Sequence, residues 1–392
     1  VFGFLAVRIR RLFPQGYTLP EYIKSRFDPK THKLYLFGFL ALQVCSLAVQ
    51  LLAGAAVINS LTGIPIVAGT LVLACIFLSY SLISGLGASI ATDLLQMFFI
   101  LTVCLLVVPL MFVLTDSWSL LQEGLGGLSG EYGSIFNSEV AYEFGIIVTI
   151  GLLAGPIGDQ QHWQRAFALK KPDVKKAYMA AGLFFGLVPL MLSLLGFIAA
   201  GMSRLDMIHI PEGQAQLSGI FAVSGLLPGF LVILFIVMLL SGLASTGDSA
   251  LCAASSLVSV DIYKTYFNQK PSERQMLLFS RFAMLVVIVL AAGIALIPDM
   301  QILYLFLFYG TLRACDMMPT VLSLYAKRLD KDALFWGIFW SMLLGLPAFV
   351  YGYLIDSIAL RVAASVGIIC VSFMIPLIIT HFSLYRLFLA RK

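Results

Sequence analysis

The apolar segment between residues 239 and 263 contains three hydroxyl side chains and one carboxylate within five positions: Ser245, Thr246, Asp248 and Ser249. Ser245, Asp248 and Ser249 are spaced i, i+3 and i+4, so they share one face of a helix, and Thr246 flanks that face. Such oxygen ligands suit a hard cation such as Na⁺, for the reason that Ca²⁺ and Mg²⁺ take oxygen shells. The alternative is that the hydroxyls bond back to carbonyls one turn earlier and help helices to pack. Because a carboxylate inside an apolar helix is costly, we predict an ion or substrate path here.

A second carboxylate, Asp93, opens an apolar segment after the glycine-rich turn at residues 84–87. Its position near the start of that segment leaves two interpretations open, an ion ligand or a helix cap.

Other polar side chains lie inside apolar segments. Arg313 and Asp316 are spaced i and i+3, so we expect them to pair, either as an inner gate or substrate contact or as a structural ion pair. Gln43 and Ser46 share one face of the segment at residues 35–57. They either line a cavity or bond neighbouring helices.

The segment 151–165 reads GLLAGPIGDQQHWQR and places Gly155 and Pro156 in the middle of an apolar run. Proline removes a helix hydrogen bond, so the pattern predicts a broken helix, with a plain kink as the alternative. Non-helical backbone at membrane depth survives where protein or an aqueous cavity satisfies it, and transporters build substrate sites in this way. Asp159 and Gln160 follow the break, and Gln164 and Arg165 continue towards the inner interface.

These groups must be positioned by membrane-spanning helices. Hydrophobic residues make up 60% of the 392 residues and charged residues only 11%, against about 25% charged in soluble domains. Runs of about 20 apolar residues, the length that spans a bilayer as a helix, predict ten complete helices at residues 35–57, 66–84, 90–114, 143–163, 177–201, 219–250, 277–297, 301–325, 333–354 and 363–385. Residues 1–8 resemble the tail of a further span, so we expect an N-terminally incomplete chain.

Basic residues are distributed unequally between the two sides of the predicted membrane. On alternate connections, one side holds 22 of the 25 Lys and Arg residues, whereas the other holds only Arg204 and Arg361. By the positive-inside rule the richer side is cytoplasmic, as is the C-terminus. We therefore predict a multi-pass protein of the plasma membrane whose net charge of +5 reflects orientation and lipid contact and not nucleic-acid binding.

Four stretches of the chain together resemble the sodium/solute symporters, which include proline, sugar, sialic acid and urea carriers. They are GYTLPEYIKSRF at residues 16–27, ATDLLQ at 91–96, DQQHWQR at 159–165, and the stretch 245–264, which begins with Ser-Thr and ends with DIYK. The resemblance implies an all-α membrane protein with a LeuT-like core of two inverted five-helix repeats. Residues 1–392 then form a single transporter domain, with the first core helix and most of the second missing upstream.

The resemblance also implies where sodium binds. Ser245 and Thr246 match the hydroxyl pair of the main sodium site, and Gly242 matches the residue that lends a backbone carbonyl to it. Asp93 matches an acidic residue that joins a second sodium site in some members. Asp248 and Ser249 occupy the other ligand positions of that second site. Asp248 departs from the usual hydroxyl, and its carboxylate either strengthens a cation site or carries a proton.

The expected function is secondary active transport by alternating access, in which inward Na⁺ movement drives uptake of a small polar solute. Strings such as DQQHWQRA resemble the urea carriers, and amino acids, sugars and carboxylates are the other candidate solutes. The residues expected at the substrate site or gate are Gln43, Ser46, Gly155, Pro156, Asp159, Gln160, Arg313 and Asp316.

Three alternatives remain open at this point. In the first, the coupling ion is H⁺, as in a carrier of the urea type. In the second, the domain is a transporter-like membrane sensor. Asp93 and Asp248 could also form an intramembrane aspartyl protease pair. The protease interpretation leaves the predicted broken helix unexplained, so we expect a transporter and not an enzyme. No oligomeric state is predicted.

Overall fold

Long apolar helices build the protein. The computed structural model describes residues 1–114 and 116–389, without the side chains of Ser84, Ala88 and residues 384–389. Within the described residues, the α-helices are α1 Phe2–Leu12, α2 Leu19–Arg26, α3 Pro29–Thr62, α4 Ile66–Leu114, α5 Ser117–Gly124, α6 Thr149–Ala154, α7 Gln160–Ala168, α8 Val174–Arg204, α9 Ser218–Leu226, α10 Gly229–Ser256, α11 Glu273–Ala295, α12 Ile302–Tyr325, α13 Ala333–Trp340, α14 Leu346–Leu354 and α15 Ile358–Leu389. A 3₁₀ turn covers Ala215–Leu217, and π-helical segments cover Glu139–Val148, Leu257–Phe267 and Ser341–Gly345.

Eight helices in the described part of the chain are long and apolar enough to cross a membrane. They are Pro29–Thr62, Ile66–Ile83, Gly85–Leu114, Val174–Arg204, Gly229–Phe267, Glu273–Ala295, Ala333–Leu354 and Ile358–Ser383. Two of the ten predicted spans do not meet this test. The segment at 143–163 is interrupted, and α12, although 24 residues long, carries two charged side chains that lower its hydropathy.

The predicted span at 219–250 has different bounds in the structure. Helix α9 ends at Leu226, and α10 begins at Gly229 after Pro228. Proline has no N–H to continue the helix of α9, whereas its fixed φ suits the residue that precedes α10. The helix that follows extends to Phe267 through a π-helical segment.

Helix α4 is two spans joined by a kink at Gly85, where φ is 57° and ψ is −141°. Only glycine adopts such a backbone conformation without strain. The kink falls in the predicted glycine-rich turn, and it separates two halves of α4 that correspond to the predicted spans at residues 66–84 and 90–114.

Helix α3 lies at the centre of the bundle, where it packs against α4, α10, α11 and α12. Helix α10 packs against α4 and α7, and α12 packs against α6 and α15. The two segments predicted to bind ligands, α10 and the interrupted segment before α7, are therefore neighbours.

The basic connections of the predicted cytoplasmic side meet at one end of the bundle. The contacts are Arg8 Nε to Leu324 O (3.2 Å), Arg10 Nη2 to Leu169 O (3.2 Å) and Lys24 Nζ to the Tyr266 ring (5.5 Å). These contacts join parts of the chain that are far apart in sequence. The distribution of Lys and Arg predicts that these parts lie on the same side of the membrane. The end of the predicted cytoplasmic C-terminus, with Arg391 and Lys392, lies outside the described residues.

Candidate ion and solute sites

Asp93 of α4 contacts the hydroxyl-bearing face of α10. Its Oδ1 accepts a hydrogen bond from Ser245 Oγ, and its Oδ2 lies 2.5 Å from Arg165 Nη2. Asp93 stands about two turns inside the span Gly85–Leu114, so it does not cap that helix. The cap alternative is therefore wrong, and the structure brings Asp93 and Ser245 together as the ion-ligand interpretation requires.

Asp248 is fully buried beside this contact. Tyr80 faces its carboxylate, and so do the hydroxyls of Ser89 (3.1 Å), Ser249 (3.2 Å) and Thr92 (3.4 Å). The last two hydroxyls also make shorter bonds to backbone carbonyls, Ser249 to Ser245 O at 2.6 Å and Thr92 to Ser89 O at 3.0 Å. Because each hydroxyl has a single proton to donate, Ser89 is the donor least committed elsewhere. The carboxylate thus keeps lone pairs available to a cation.

Ser89 and Thr92 were not among the predicted site residues. Ser89 precedes Asp93 by four positions, a spacing that places both on one helix face, and Thr92 is the neighbour of Asp93 in sequence. What could not be predicted was that they turn towards a carboxylate on α10.

Thr246 and Gly242 lie one turn apart on α10. Thr246 Oγ1 is 3.4 Å from Gly242 O, which is the back-bonding arrangement given above as the alternative for these hydroxyls. Ser249 makes the same kind of bond to Ser245 O. Back-bonding and the proposed ligand role coexist, since an oxygen that donates its proton still has lone pairs to offer.

Arg165 extends into the contact between α4 and α10. Its Nη2 lies 2.5 Å from Asp93 Oδ2 and 2.7 Å from Ser249 Oγ, and its Nη1 donates to Gln161 O at 3.2 Å. The Arg165 guanidinium thus contacts two oxygens of the candidate ion site, and its expected course towards the inner interface stays a prediction.

The predicted broken helix is confirmed. Helix α6 ends at Ala154 and α7 begins at Gln160, with the Gly155-Pro156 pair between them. Asp159 is the N-cap of α7, and its Oδ1 accepts a hydrogen bond from Gln161 N at 3.0 Å. The break thus turns a carboxylate into the centre of the bundle.

Asp159 is fully buried in a polar cluster. Its Oδ2 lies 2.5 Å from Arg313 Nη2 and 3.3 Å from Tyr309 OH, and its Oδ1 lies 3.1 Å from Gln43 Nε2. The predicted pairing of Arg313 with Asp316 is wrong. The long guanidinium side chain instead reaches across from α12 to a carboxylate at the break.

Gln161 extends the cluster along α3. Its side-chain amide donates to Gln43 Oε1 and to Ser46 Oγ, both at 3.1 Å. Gln43 and Ser46 therefore bond the neighbouring helix α7, which is the second of the two interpretations given for them. Gln161 and Tyr309 were not among the predicted site residues, although Gln161 lies within the string that resembles the symporters.

Two predicted gate residues lie outside this cluster. Gln160 holds the connection before α2, because its Oε1 accepts from Leu19 N at 3.1 Å and its Nε2 donates to Tyr17 O at 3.2 Å. Asp316 is 1% exposed and faces Gly38 of α3, and its Oδ1 has no hydrogen-bond partner among the described residues.

Comparison with known proteins shows the family to which this chain belongs. The profile of the Sodium:solute symporter family matches residues 2–345. The chain belongs to this family. The Urea-proton symporter DUR3 of Oryza sativa subsp. japonica is 27% identical over 314 residues, which cover 73% of this chain and 43% of the rice protein. The High-affinity proline transporter PutP of Bacillus subtilis is 25% identical over 340 residues, which cover 84% of this chain and 69% of that protein.

A solved structure shares the fold. It is described as the substrate-bound outward-open state of a Na⁺-coupled sialic acid symporter, and it matches with a TM-score of 0.68 at 15% identity over 96% of this chain and 82% of the other. The expected all-α, LeuT-like fold is thereby confirmed. Since these relatives are transporters, the protease interpretation is set aside. This symporter-family chain spans about half the length of the urea transporters that it matches.

Proposed function

We propose that this symporter-family protein couples inward movement of a monovalent cation, Na⁺ in the first place, to uptake of a small polar solute across the plasma membrane. The observation that carries the proposal is the partly buried contact between Asp93 of α4 and the Ser245–Ser249 face of α10. Oxygen ligands from two separate helices meet there, and such a site changes whenever the two helices move relative to each other.

The charges of the ion site suit one monovalent cation. Asp93 and Asp248 bring two negative charges and Arg165 brings one positive charge, so one further positive charge makes the group neutral. We assign to this ion the oxygens of Asp93, Ser245, Asp248 and Ser249. A separate set of ligands lies on the same helix: we assign Gly242 O and Thr246 Oγ1, together with Ser245, to the main sodium site that the family resemblance implies.

Asp248 supports a second candidate for the coupling ion. A carboxylate can bind H⁺ as well as Na⁺, whereas the usual hydroxyl at this position cannot carry a proton in this way. The rice relative named a urea-proton symporter is consistent with H⁺ as the ion. Which ion drives transport is therefore the first question for experiment.

The solute site that we propose is the cluster at the break. Asp159 and Arg313 neutralise each other there, and the remaining groups are amides and hydroxyls, from Gln43, Gln161, Ser46 and Tyr309. A neutral solute with several donors and acceptors exchanges hydrogen bonds with such a lining without leaving a buried charge unpaired. We therefore favour urea or a similar small amide over a carboxylate.

The coupling is thermodynamic linkage between the two ligands, in which each raises the affinity for the other in the same conformation. The inward cation gradient and the membrane potential supply the driving force, and one charge moving through 100 mV contributes about 2.3 kcal/mol. The short helix α7 lies between the two clusters and opens or closes access to them as the bundle moves.

Uptake of radiolabelled solutes by the full-length protein in proteoliposomes tests the proposal. Urea, amino acids, sugars and carboxylates are each offered under an imposed Na⁺ gradient and, separately, an imposed H⁺ gradient. We expect Na⁺-driven uptake of a neutral solute. Uptake driven by H⁺ alone would select the second candidate, and specific solute binding without uptake in either gradient would indicate a sensor.

A further inference from the structure

Helix α7 is held at both ends by charged contacts in two different sites. Its N-cap, Asp159, pairs with Arg313 in the solute cluster, and Arg165, near its C-terminal end, pairs with Asp93 in the ion site. Arg165 is six positions after Asp159, a distance of about 9 Å along the axis. A single rigid helix of nine residues therefore connects the two sites that a symporter must couple.

The guanidinium of Arg165 holds oxygens that the ion would also use. Its Nη2 contacts both Asp93 Oδ2 at 2.5 Å and Ser249 Oγ at 2.7 Å. Arginine is not deprotonated in proteins, so this side chain is a permanent positive charge. A free cation bound to the same two oxygens would lie next to that charge, and the two would repel each other.

We propose that Arg165 is a tethered cation that competes with the coupling ion for Asp93 and Ser249, and that this competition transmits ion binding to the solute site through α7. The inference rests on the proposed function. When the ion takes these oxygens, the guanidinium withdraws and α7 moves with it, which displaces Asp159 in the solute cluster. Arg165 is thus a positioning residue that acts on the solute through the helix.

The second carboxylate of the site fits this arrangement. If Asp93 were the only acid present, Arg165 would neutralise it and leave little attraction for a free cation. The negative charge of Asp248 still attracts the ion while the Arg165 guanidinium is bound to Asp93. The ion can therefore enter the site before the guanidinium withdraws.

Binding of radioactive Na⁺ to the purified full-length protein tests the competition directly. We compare the wild type with Arg165→Gln, which removes the tethered charge, and with Arg165→Lys, which keeps the charge but loses the planar fork. The matched control is Arg281→Gln, since Arg281 is a basic residue of α11 whose guanidinium donates to the backbone carbonyl of Leu82 and does not contact α7. We expect Arg165→Gln to bind Na⁺ about ten-fold more tightly, because the variant lacks the competing guanidinium. A change in affinity of about ten-fold corresponds to about one charge-assisted hydrogen bond. Arg165→Lys is expected to lie between the two, and the control to match the wild type.

A second readout separates coupling from stability. In the wild type, Na⁺ should increase the affinity for solute, whereas in Arg165→Gln this increase should largely vanish although both ligands still bind. A purely structural role for Arg165 would instead weaken both ligands together. Unchanged or weaker Na⁺ binding by a folded Arg165→Gln protein overturns the inference and leaves the proposed function standing. Absence of Na⁺ binding by the wild type would count against the proposed Na⁺ site itself, and the inference would fall with it.

Discussion

At the scale of single residues, spacing along a helix predicted which side chains share a face, and contacts between helices decided what they bind. Ser245, Asp248 and Ser249 do lie together, as their i, i+3 and i+4 positions require. Arg313 and Asp316 have the right spacing to pair, yet Arg313 pairs with Asp159, a residue 154 positions away. Local spacing indicates that two residues can pair, but it does not indicate that a residue far away in the sequence is the preferred partner.

Removing a hydroxyl from the ion site should weaken cation binding more than it weakens the protein. We expect Ser245→Ala and Thr246→Ala to raise the Na⁺ concentration for half-maximal uptake roughly three- to ten-fold, because each loses an oxygen ligand worth about one hydrogen bond. Ser241→Ala is the matched control, since Ser241 Oγ lies on the same helix and donates only to Val237 O. Protein abundance is measured alongside uptake. Unchanged Na⁺ dependence in both Ser245→Ala and Thr246→Ala would argue against the site.

Breaking the buried ion pair at the helix break should destabilise the protein. We expect Arg313→Gln to lower the free energy of unfolding by about 3–5 kcal/mol, because it leaves the Asp159 carboxylate buried without a counter-charge. Thermal unfolding in detergent gives the comparison. The double variant Asp159→Asn/Arg313→Gln should recover much of the loss, since no charge is then left unpaired. If the loss of stability in the double variant equalled the summed losses of Asp159→Asn and Arg313→Gln, the two side chains would not be interacting as described.

At the scale of helices, the sequence indicated the interruption before α7 but not what surrounds it. Gly155 and Pro156 predicted the break, and the structure has it within a few residues of the expected place. The interruption at Pro228 was missed, because the residues on either side of it are as apolar as the helices they end. Apolar runs locate the helices well, but the hydropathy hardly changes at a turn that contains no polar residues.

The break itself should tolerate no added side-chain volume at Gly158. A Cβ placed there would lie 2.5 Å from Arg313 O, a backbone atom that cannot move aside cheaply. We expect Gly158→Ala to cost about 1–3 kcal/mol of stability and to reduce uptake, because α12 must shift away from the break. Gly182→Ala in α8 is the control, since nothing lies within 4 Å of a Cβ at that position. Equal behaviour of the two variants in thermal unfolding and uptake would show that the close approach does not matter.

At the scale of the whole molecule, composition alone was enough to predict a multi-pass membrane protein, and resemblance was enough to predict its family. Contacts such as Arg8 to Leu324 show that connections grouped by charge in the sequence also meet in space. The sequence could not show how the helices pack, because nearly every helix is apolar and hydropathy does not distinguish one apolar neighbour from another. The sparse polar side chains are what distinguish particular helix contacts, and several of them lie in the two sites that we propose.

The orientation that the basic connections predict can be tested by labelling. In a background without native cysteines, we expect Lys171→Cys to react with a membrane-impermeant thiol reagent only after cells are permeabilised. Glu131→Cys, on the opposite side, should react in intact cells, since Glu131 is exposed. The reverse pattern would invert the predicted topology and place the C-terminus outside.

The pairing of Asp159 with Arg313 also sets an order for biosynthesis. The carboxylate leaves the ribosome 154 residues before the guanidinium that neutralises it, and at 5–20 residues per second the delay is roughly 8–30 s. During that interval the carboxylate lacks the Arg313 guanidinium that neutralises it. We therefore expect the break to be completed only after α12 has been inserted.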